Sequence, residues 1–228
     1  MDVPQAPLSV LKEAIAVYPE VIESNPLSSD AVARWILLTP GKHTGSDGLQ
    51  PVEAEEVFYY HKSYIQGLDW TRKENELRLH WVRDDVYFER QTGPREGSCY
   101  MVRKGPQMGS KLDAHDLDAV LLDGKPHEEI ADYFNRCEYF YCYDPYTMYL
   151  TYAVFCGCTP IVTPPPGLTE EAWHPVKERY GVAFGNSPDQ LAFARKTAPK
   201  MMGHVQDLKA EEDRQLRHFV TRLADRFG

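Results

Sequence analysis

The chain has 228 residues, a formal net charge of −9, and 43% hydrophobic and 26% charged residues, ordinary proportions for a globular protein. The acidic balance argues against a nucleic-acid backbone or an anionic membrane surface as the main partner. No run approaches the roughly 18 apolar residues of a membrane span, and no signal peptide opens the chain, so we expect a cytoplasmic protein of one large or two small domains.

The cysteines lie mostly in apolar segments. They lack CxxC spacing and a histidine partner at the spacing of zinc ligands. We therefore expect reduced structural thiols and no metal site. The residues concerned are Cys99, Cys137, Cys142, Cys156 and Cys158.

The first ninety residues read as short, mixed segments. Residues 1–11 suggest a loose arm, and residues 13–18 suggest a strand that Pro19 ends. Cap-like serines precede residues 31–38, which we interpret as a short helix with Trp35 on its buried face. Three further segments are strand candidates: residues 55–61, 76–81 and 86–88. Two segments have loop or linker composition: residues 43–51 and 90–97.

Strand and helix patterns alternate from residue 98 onward. The predicted strands are residues 98–102, 119–122, 138–143, 159–163 and 181–184. The predicted helices are residues 126–136, 146–155, 169–178, a further helix from Ser187, and a terminal helix at 206–227. This alternation predicts a doubly wound, Rossmann-like parallel sheet, and hence three regions: residues 1–92, 93–204 and 205–228.

Polar residues follow two of these strands. Arg103 and Lys104 come directly after the strand at 98–102, either as ligands for an anion or as a solvated surface pair. Asp144 ends the aromatic strand at 138–143 and precedes a buried helix, so the loop at 144–147 offers free amides to an anion. A purely structural alternative makes Asp144 a helix cap.

The stretch at 137–166, CEYFYCYDPYTMYLTYAVFCGCTPIVTPPP, resembles the donor-binding half of GT-B glycosyltransferases. Many retaining members have an acidic residue at a strand end and a second one eight positions later. Asp144 matches the first position, and Tyr152 stands at the second. Residues 21–41, VIESNPLSSDAVARWILLTPG, resemble a segment of the acceptor-side lobe of some bacterial transferases.

The resemblance implies a GT-B-like α/β fold whose first lobe is short and incomplete, and a nucleotide sugar as donor. It places Asp144 at the sugar hydroxyls as the catalytic residue, Thr147 at the diphosphate and Tyr152 at the ribose. Basic residues after the first strand of the donor lobe neutralise the diphosphate in related enzymes. The donor-binding residues implied are Arg103, Lys104, Gly124, Pro145, Tyr146, Thr147 and Tyr152. No cofactor is expected.

These observations favour a glycosyltransferase of bacterial surface polysaccharide synthesis, acting on a glycan or lipid-linked acceptor. The short first lobe leaves room for a protein partner or a homo-oligomer that completes it. Two alternatives stay open: a non-catalytic nucleotide-sugar-binding or assembly subunit, and another α/β enzyme that binds a phosphorylated ligand. Core packing is the alternative role for Tyr152, and a position at the start of a helix is the simpler explanation for His127.

Overall fold

A computed structural model describes residues 7, 10–42, 44–45, 48–90 and 93–228, and within them eight β-strands and five α-helices. The chain divides into two compact units: unit 1 comprises Met1–His80 and Leu208–Gly228, and unit 2 comprises Trp81–Asp207. The predicted arm at 1–11 and the predicted loops at 43–51 and 90–97 lie partly outside the described residues.

Unit 1 is built on a three-stranded parallel sheet. Its strands are β1 (Ile15–Pro19), β2 (Ala31–Ile36) and β3 (Glu56–Tyr59), in the order β1-β2-β3. Ala33 and Phe58 pack against Leu223 of the C-terminal helix on one face. The other face carries a second apolar cluster that includes Ile36, Leu49, Val57 and Tyr59.

The predicted helix at 31–38 is wrong, because β2 is the central strand of this sheet. Ala33 is paired with both Val17 of β1 and Glu56 of β3. Alanine, leucine and arginine favour helices locally, but two flanking strands supply ladder hydrogen bonds that a helix would forgo. Burial on both faces of β2 adds to the preference.

Two other predicted strands in the first ninety residues do not form as such. Residues 76–81 contribute only one bridge, from Glu76 to Tyr59. Two of their backbone N–H groups donate to side chains of the C-terminal helix. The N–H of Arg78 donates to Gln215 (2.8 Å), and the N–H of His80 donates to Glu212 (3.1 Å). Residues 86–88 contain the end of a turn and a bend, and no strand.

Unit 2 contains a five-stranded, all-parallel sheet in the order β5-β4-β6-β7-β8. The strands are β4 (Ser98–Met101), β5 (Val120–Leu121), β6 (Tyr139–Cys142), β7 (Thr159–Val162) and β8 (Ala183–Phe184). Each lies within a segment that the sequence predicts as a strand. The aromatic strand β6 is central, as expected from its nearly continuous burial.

Helices cover both faces of the unit 2 sheet. The helices after β4 in the chain are α1 (His127–Arg136), α2 (Tyr149–Phe155), α3 (Glu170–Trp173), α4 (Pro188–Thr197) and α5 (Met201–Phe227). Phe140 and Cys142 of β6 share a core with α1 and α2, whereas Tyr141 packs in the cluster that includes α4. This alternation along one strand gives the doubly wound arrangement its two buried layers.

The helix boundaries differ from the predicted ones in three places. The helix α2 begins at Tyr149 instead of residue 146, so that Tyr146 and Thr147 stay in the loop before it. The helix α3 ends at Trp173 because Pro175 follows. The helix α5 begins at Met201 and includes residues of both units. The chain is therefore an α/β protein with parallel sheets and a C-terminal helix, compatible with a Rossmann-like fold.

Candidate functional site

The strand order of unit 2 defines one point where ligands commonly bind. Numbered along the chain, its strands follow the order 2-1-3-4-5, so the connections leave β4 and β6 in opposite directions. In open parallel sheets the crevice at the carboxyl ends of two such strands is the usual ligand site. Here the residues after β4 and those after β6 border this crevice, which we call the switch-point site.

Arg103 and Asp144 meet at the switch-point site. The Nε atom of Arg103 lies 3.5 Å from Oδ2 of Asp144; the Asp144 side chain is 5% exposed and the Arg103 side chain 38% exposed. The Arg103 guanidinium also lies over the Tyr149 ring, 5.2 Å from its centroid. Carboxylate and ring hold the guanidinium in place while part of it stays open to solvent, as an anion-binding arginine requires.

The backbone of Arg103 is held in an unusual conformation. Its φ is 43°, in the left-handed region that residues other than glycine rarely adopt. The Asp123 carboxylate accepts hydrogen bonds from the N–H of Val102 (2.7 Å) and of Arg103 (2.9 Å). The turn after β5, which continues through Gly124 at φ 80°, therefore fixes the loop after β4. A strained residue retained at a strand end is a feature of ligand sites.

The Asp144 side chain is buried where the loop after β6 meets Arg103. Its Oδ1 accepts a hydrogen bond from the N–H of Tyr146 (3.1 Å), and its Oδ2 faces Arg103. The Cys142 thiol donates to the Asp144 carbonyl (3.2 Å), and burial raises the pKa of that thiol far above its usual range. The carboxylate thus closes the loop and orients the arginine at the same time.

The rest of the loop after β6 is anchored at one end and open at the other. The Pro145 carbonyl accepts a hydrogen bond from the indole N–H of Trp173 (2.8 Å). The Tyr146 side chain is 57% exposed and its ring lies 5.5 Å from that of His174. The Thr147 hydroxyl accepts a long hydrogen bond from the N–H of Tyr149 (3.4 Å), which leaves its own proton free for a ligand.

Lys104 and Gly105 complete the border on the side of β4. Lys104 is exposed, and within the described part of the chain its ammonium group has no partner. A Cβ atom on Gly105 would lie 2.6 Å from Cβ of Tyr143, so only glycine allows this loop to approach the end of β6 so closely. The two loops are therefore held side by side.

Tyr152 has a different position from the other predicted site residues. Its hydroxyl donates to the Trp81 carbonyl (3.2 Å) and accepts from the N–H of Arg83 (3.3 Å). Its ring stacks on that of Tyr87, with centroids 4.2 Å apart and an interplanar angle of 2°. Burial raises the pKa of Tyr152. The structure brings Arg103 and Asp144 together and places the Tyr152 hydroxyl in the internal packing of residues 81–87.

Three residues of the site were not predicted for it. Asp123 clamps the loop, Tyr149 supports the Arg103 guanidinium, and the His127 ring lies nearly parallel to that of Tyr149 at 5.9 Å. His127 is also hydrogen-bonded through Nδ1 to the Tyr87 hydroxyl (2.6 Å). The available signal for Asp123 was an Asp-Gly turn at the carboxyl end of a strand, next to the strand that carries the basic pair.

The cysteines belong to the core of unit 2. All five are free and buried. Burial raises the pKa of Cys99, whose thiol donates to the Tyr139 carbonyl (3.7 Å). Across the described residues, no group of three or more His, Cys, Asp or Glu side chains is arranged to hold a metal ion.

The described helices include none whose length and apolar character would let it cross a membrane. Comparisons of the chain with protein-family models, with curated proteins and with solved structures gave no match.

Proposed function

We propose that unit 2 binds a nucleotide sugar at the switch-point site and that the chain is a GT-B-type glycosyltransferase of bacterial surface polysaccharide synthesis. The observation that carries this proposal is the partly exposed Arg103 guanidinium, which Asp144 and Tyr149 hold at the switch point of a parallel sheet. The fold supports a nucleotide ligand, and the sugar-transfer chemistry rests on the resemblance of residues 137–166.

The chemistry of transfer fits these groups. When the glycosidic bond to the donor breaks, negative charge develops on the leaving nucleoside diphosphate. A guanidinium that is already oriented stabilises this charge without reorganising during the reaction, and its planar fork matches two phosphate oxygens. Lys104 supplies a second cation on the same loop, and the Thr147 hydroxyl supplies a neutral donor. Asp144 orients Arg103 and, as the resemblance implies, faces the donor sugar.

Calorimetric titration with UDP, GDP, ADP and CDP tests the proposal. At least one nucleotide should bind, and Arg103→Ala should weaken that binding roughly 10- to 100-fold through loss of a charged hydrogen-bond donor. Arg195→Ala is the matched control, because Arg195 contacts Glu138 and Tyr139, at the amino end of β6. Failure of every nucleotide to bind, or equal effects of the two variants, would contradict the proposal.

A second candidate is a non-catalytic nucleotide-sugar-binding or assembly subunit. Both Asp144 carboxylate oxygens already have partners, and the Tyr152 hydroxyl, at the second acidic position of the resemblance, is engaged by backbone groups. Unit 1 moreover has a sheet of only three strands among its described residues. Nucleotide binding with neither donor hydrolysis nor transfer, by mass spectrometry of the purified chain and acceptor, would favour this candidate.

A further inference from the structure

Unit 1 contains a cavity that the proposed function does not use. Its volume is about 450 Å³, and it is lined by most of the residues between 51 and 57, by Trp70, Arg72 and Asn75, and by Arg226 of α5. Because residues 51–55 lead into β3 at Glu56, the cavity lies at the amino end of that strand. The edge concerned is opposite to the carboxyl edge at which parallel sheets usually carry their active sites.

The buried polar side chains at the base of the cavity are hydrogen-bonded to other groups of the protein. The Asn75 amide donates to Oε1 of Glu56 (2.8 Å) and to the Val57 carbonyl (2.8 Å). Arg222 donates through one nitrogen to both Glu56 oxygens, at 2.9 and 3.0 Å. Glu56 and Asn75 are buried. Because these groups already have hydrogen-bonding partners within the protein, they form the surface of the cavity and do not need a ligand to satisfy them.

The walls, in contrast, present open groups. Two tryptophans that do not line the cavity serve as a comparison. The indole N–H groups of Trp35 and Trp173 donate to backbone carbonyls, at 2.9 and 2.8 Å. The half-buried Trp70 lines the cavity, and its indole N–H has no such partner among the described residues. The Arg72 side chain is 60% exposed, with its Nε 3.8 Å from the Glu56 carboxylate. Glu53 is exposed, and its backbone carbonyl accepts a hydrogen bond from Arg226 (2.6 Å).

The charges of the cavity are nearly balanced. Glu55 is paired with Arg34 at 2.5 Å, and Glu56 with Arg222. The remaining open charges are a carboxylate and guanidinium groups that line the same space. A polyphosphate would meet the Glu53 carboxylate there, and a polycation would meet arginines. The lining therefore suits an uncharged or weakly charged ligand that both donates and accepts hydrogen bonds.

We propose that this cavity binds a carbohydrate, with one sugar ring lying on the Trp70 indole. A pyranose has an apolar C–H face that packs on an aromatic plane, and a rim of hydroxyls. The planar Arg72 and Glu53 side chains can each bind two neighbouring hydroxyls, and the free Trp70 N–H adds a donor. The volume is in the range of small-ligand sites. The site belongs to unit 1, and binding there does not require sugar transfer.

Binding by the whole chain provides the test, with the uncharged oligosaccharides cellohexaose, maltohexaose and xylohexaose as probes in calorimetry and saturation-transfer NMR. At least one probe should bind, and Trp70→Ala should weaken it at least roughly tenfold. Trp81→Ala is the matched control, since the Trp81 side chain is 71% exposed and lies in unit 2. If Trp70→Ala misfolds, Arg72→Ala, at an exposed side chain, should reduce affinity by roughly tenfold.

Excess nucleoside diphosphate separates this proposal from the proposed function. The glycan should stay bound in its presence and in Arg103→Ala, even if no nucleotide binds at all. Displacement of the glycan by the nucleotide would place it at the switch-point site and overturn the proposal. The proposal is equally overturned if none of the probes binds, or if Trp70→Ala and Trp81→Ala bind alike.

Discussion

The Asp123 carboxylate accepts a 2.9 Å hydrogen bond from the backbone N–H of Arg103, a residue with a φ of 43°. The strain of a non-glycine residue in this region is of order 1 kcal/mol. Asp123 lies after β5 and Arg103 after β4, so two neighbouring strands cooperate to hold one side chain at the sheet edge. A glycine would relieve this strain but would leave the buried Asp144 carboxylate without its ion-pair partner.

The first prediction follows from this strain. Arg103→Gly should be more stable to unfolding than Arg103→Ala by about 0.5–1 kcal/mol, because both variants lack the guanidinium and only the alanine keeps the strain. Both variants should lose nucleotide affinity to a similar extent, because both lack the guanidinium. Urea unfolding and calorimetry measure the two quantities separately. A large loss of stability in Arg103→Gly would instead make the arginine a structural residue.

The second prediction concerns the Tyr152 hydroxyl. Tyr152→Phe removes its hydrogen bonds with Trp81 and Arg83 but keeps the stacking on Tyr87, so it should lower the free energy of unfolding by about 1–2 kcal/mol. Nucleotide affinity should not change. Tyr146→Phe, at an exposed ring, is the control for stability. A selective fall in nucleotide affinity would support the ribose contact that the resemblance implies.

The third prediction concerns acid stability of unit 1. Burial raises the pKa of Glu56, but hydrogen bonds from Asn75 and Arg222 outweigh burial, so the pKa lies below its usual 4.5. A lowered folded-state pKa contributes stability above the unfolded-state pKa, and this is lost as the pH falls through the folded-state value. Glu56→Gln should lower the free energy of unfolding at pH 7 by about 1–3 kcal/mol, because the charge-assisted hydrogen bonds from Arg222 are weakened.

Chemical unfolding at pH 7 and pH 3 provides the measurement for Glu56. The difference between the native chain and Glu56→Gln should shrink at the lower pH, because protonation of Glu56 removes the advantage of its charge. Glu13→Gln, at an exposed position, should have little effect at either pH. A difference that is the same at both pH values would exclude the charge of Glu56 as the cause.

Local sequence patterns predicted the unit 2 strands well and β2 badly, for a physical reason. Strand β6 consists of aromatic residues and cysteine between turn residues, so its local preference agrees with its place in the sheet. Strand β2 contains good helix formers, and only its pairing with β1 and β3 makes it extended. That pairing is non-local, and the strand's own composition, which mixes alanine and arginine with valine, tryptophan and isoleucine, does not decide between helix and strand.

The same distinction applies to the switch-point site. The position of three residues at the carboxyl edge of the sheet was predictable, because a residue directly after a parallel strand lies at that edge. These residues are Arg103, Lys104 and Asp144. Their pairing across β4 and β6 was not predictable, since it depends on strand order. The partners of the Tyr152 hydroxyl, at Trp81 and Arg83, are about 70 positions away in the chain. No spacing rule connects such positions.

The last prediction concerns Asp144, which has two roles in the structure. As a loop-closing residue it accepts the N–H of Tyr146, and as a charged residue it orients Arg103. Asp144→Asn separates these roles, because an asparagine carbonyl oxygen still accepts the N–H but carries no charge. Stability should fall by only about 1 kcal/mol, since Arg103 is partly exposed and water can solvate it.

Sugar transfer, in contrast, should fall at least about 100-fold in Asp144→Asn, because misplacing a group that stabilises the leaving diphosphate costs this much in other enzymes. Transfer from the best-binding donor is measured per folded molecule, with unfolding followed in parallel. Asp118→Asn, at an exposed carboxylate of the same unit, is the control. If Asp144→Asn lost stability and kept full transfer, Asp144 would be a cap alone, and the reacting sugar would have to lie elsewhere on the sheet edge.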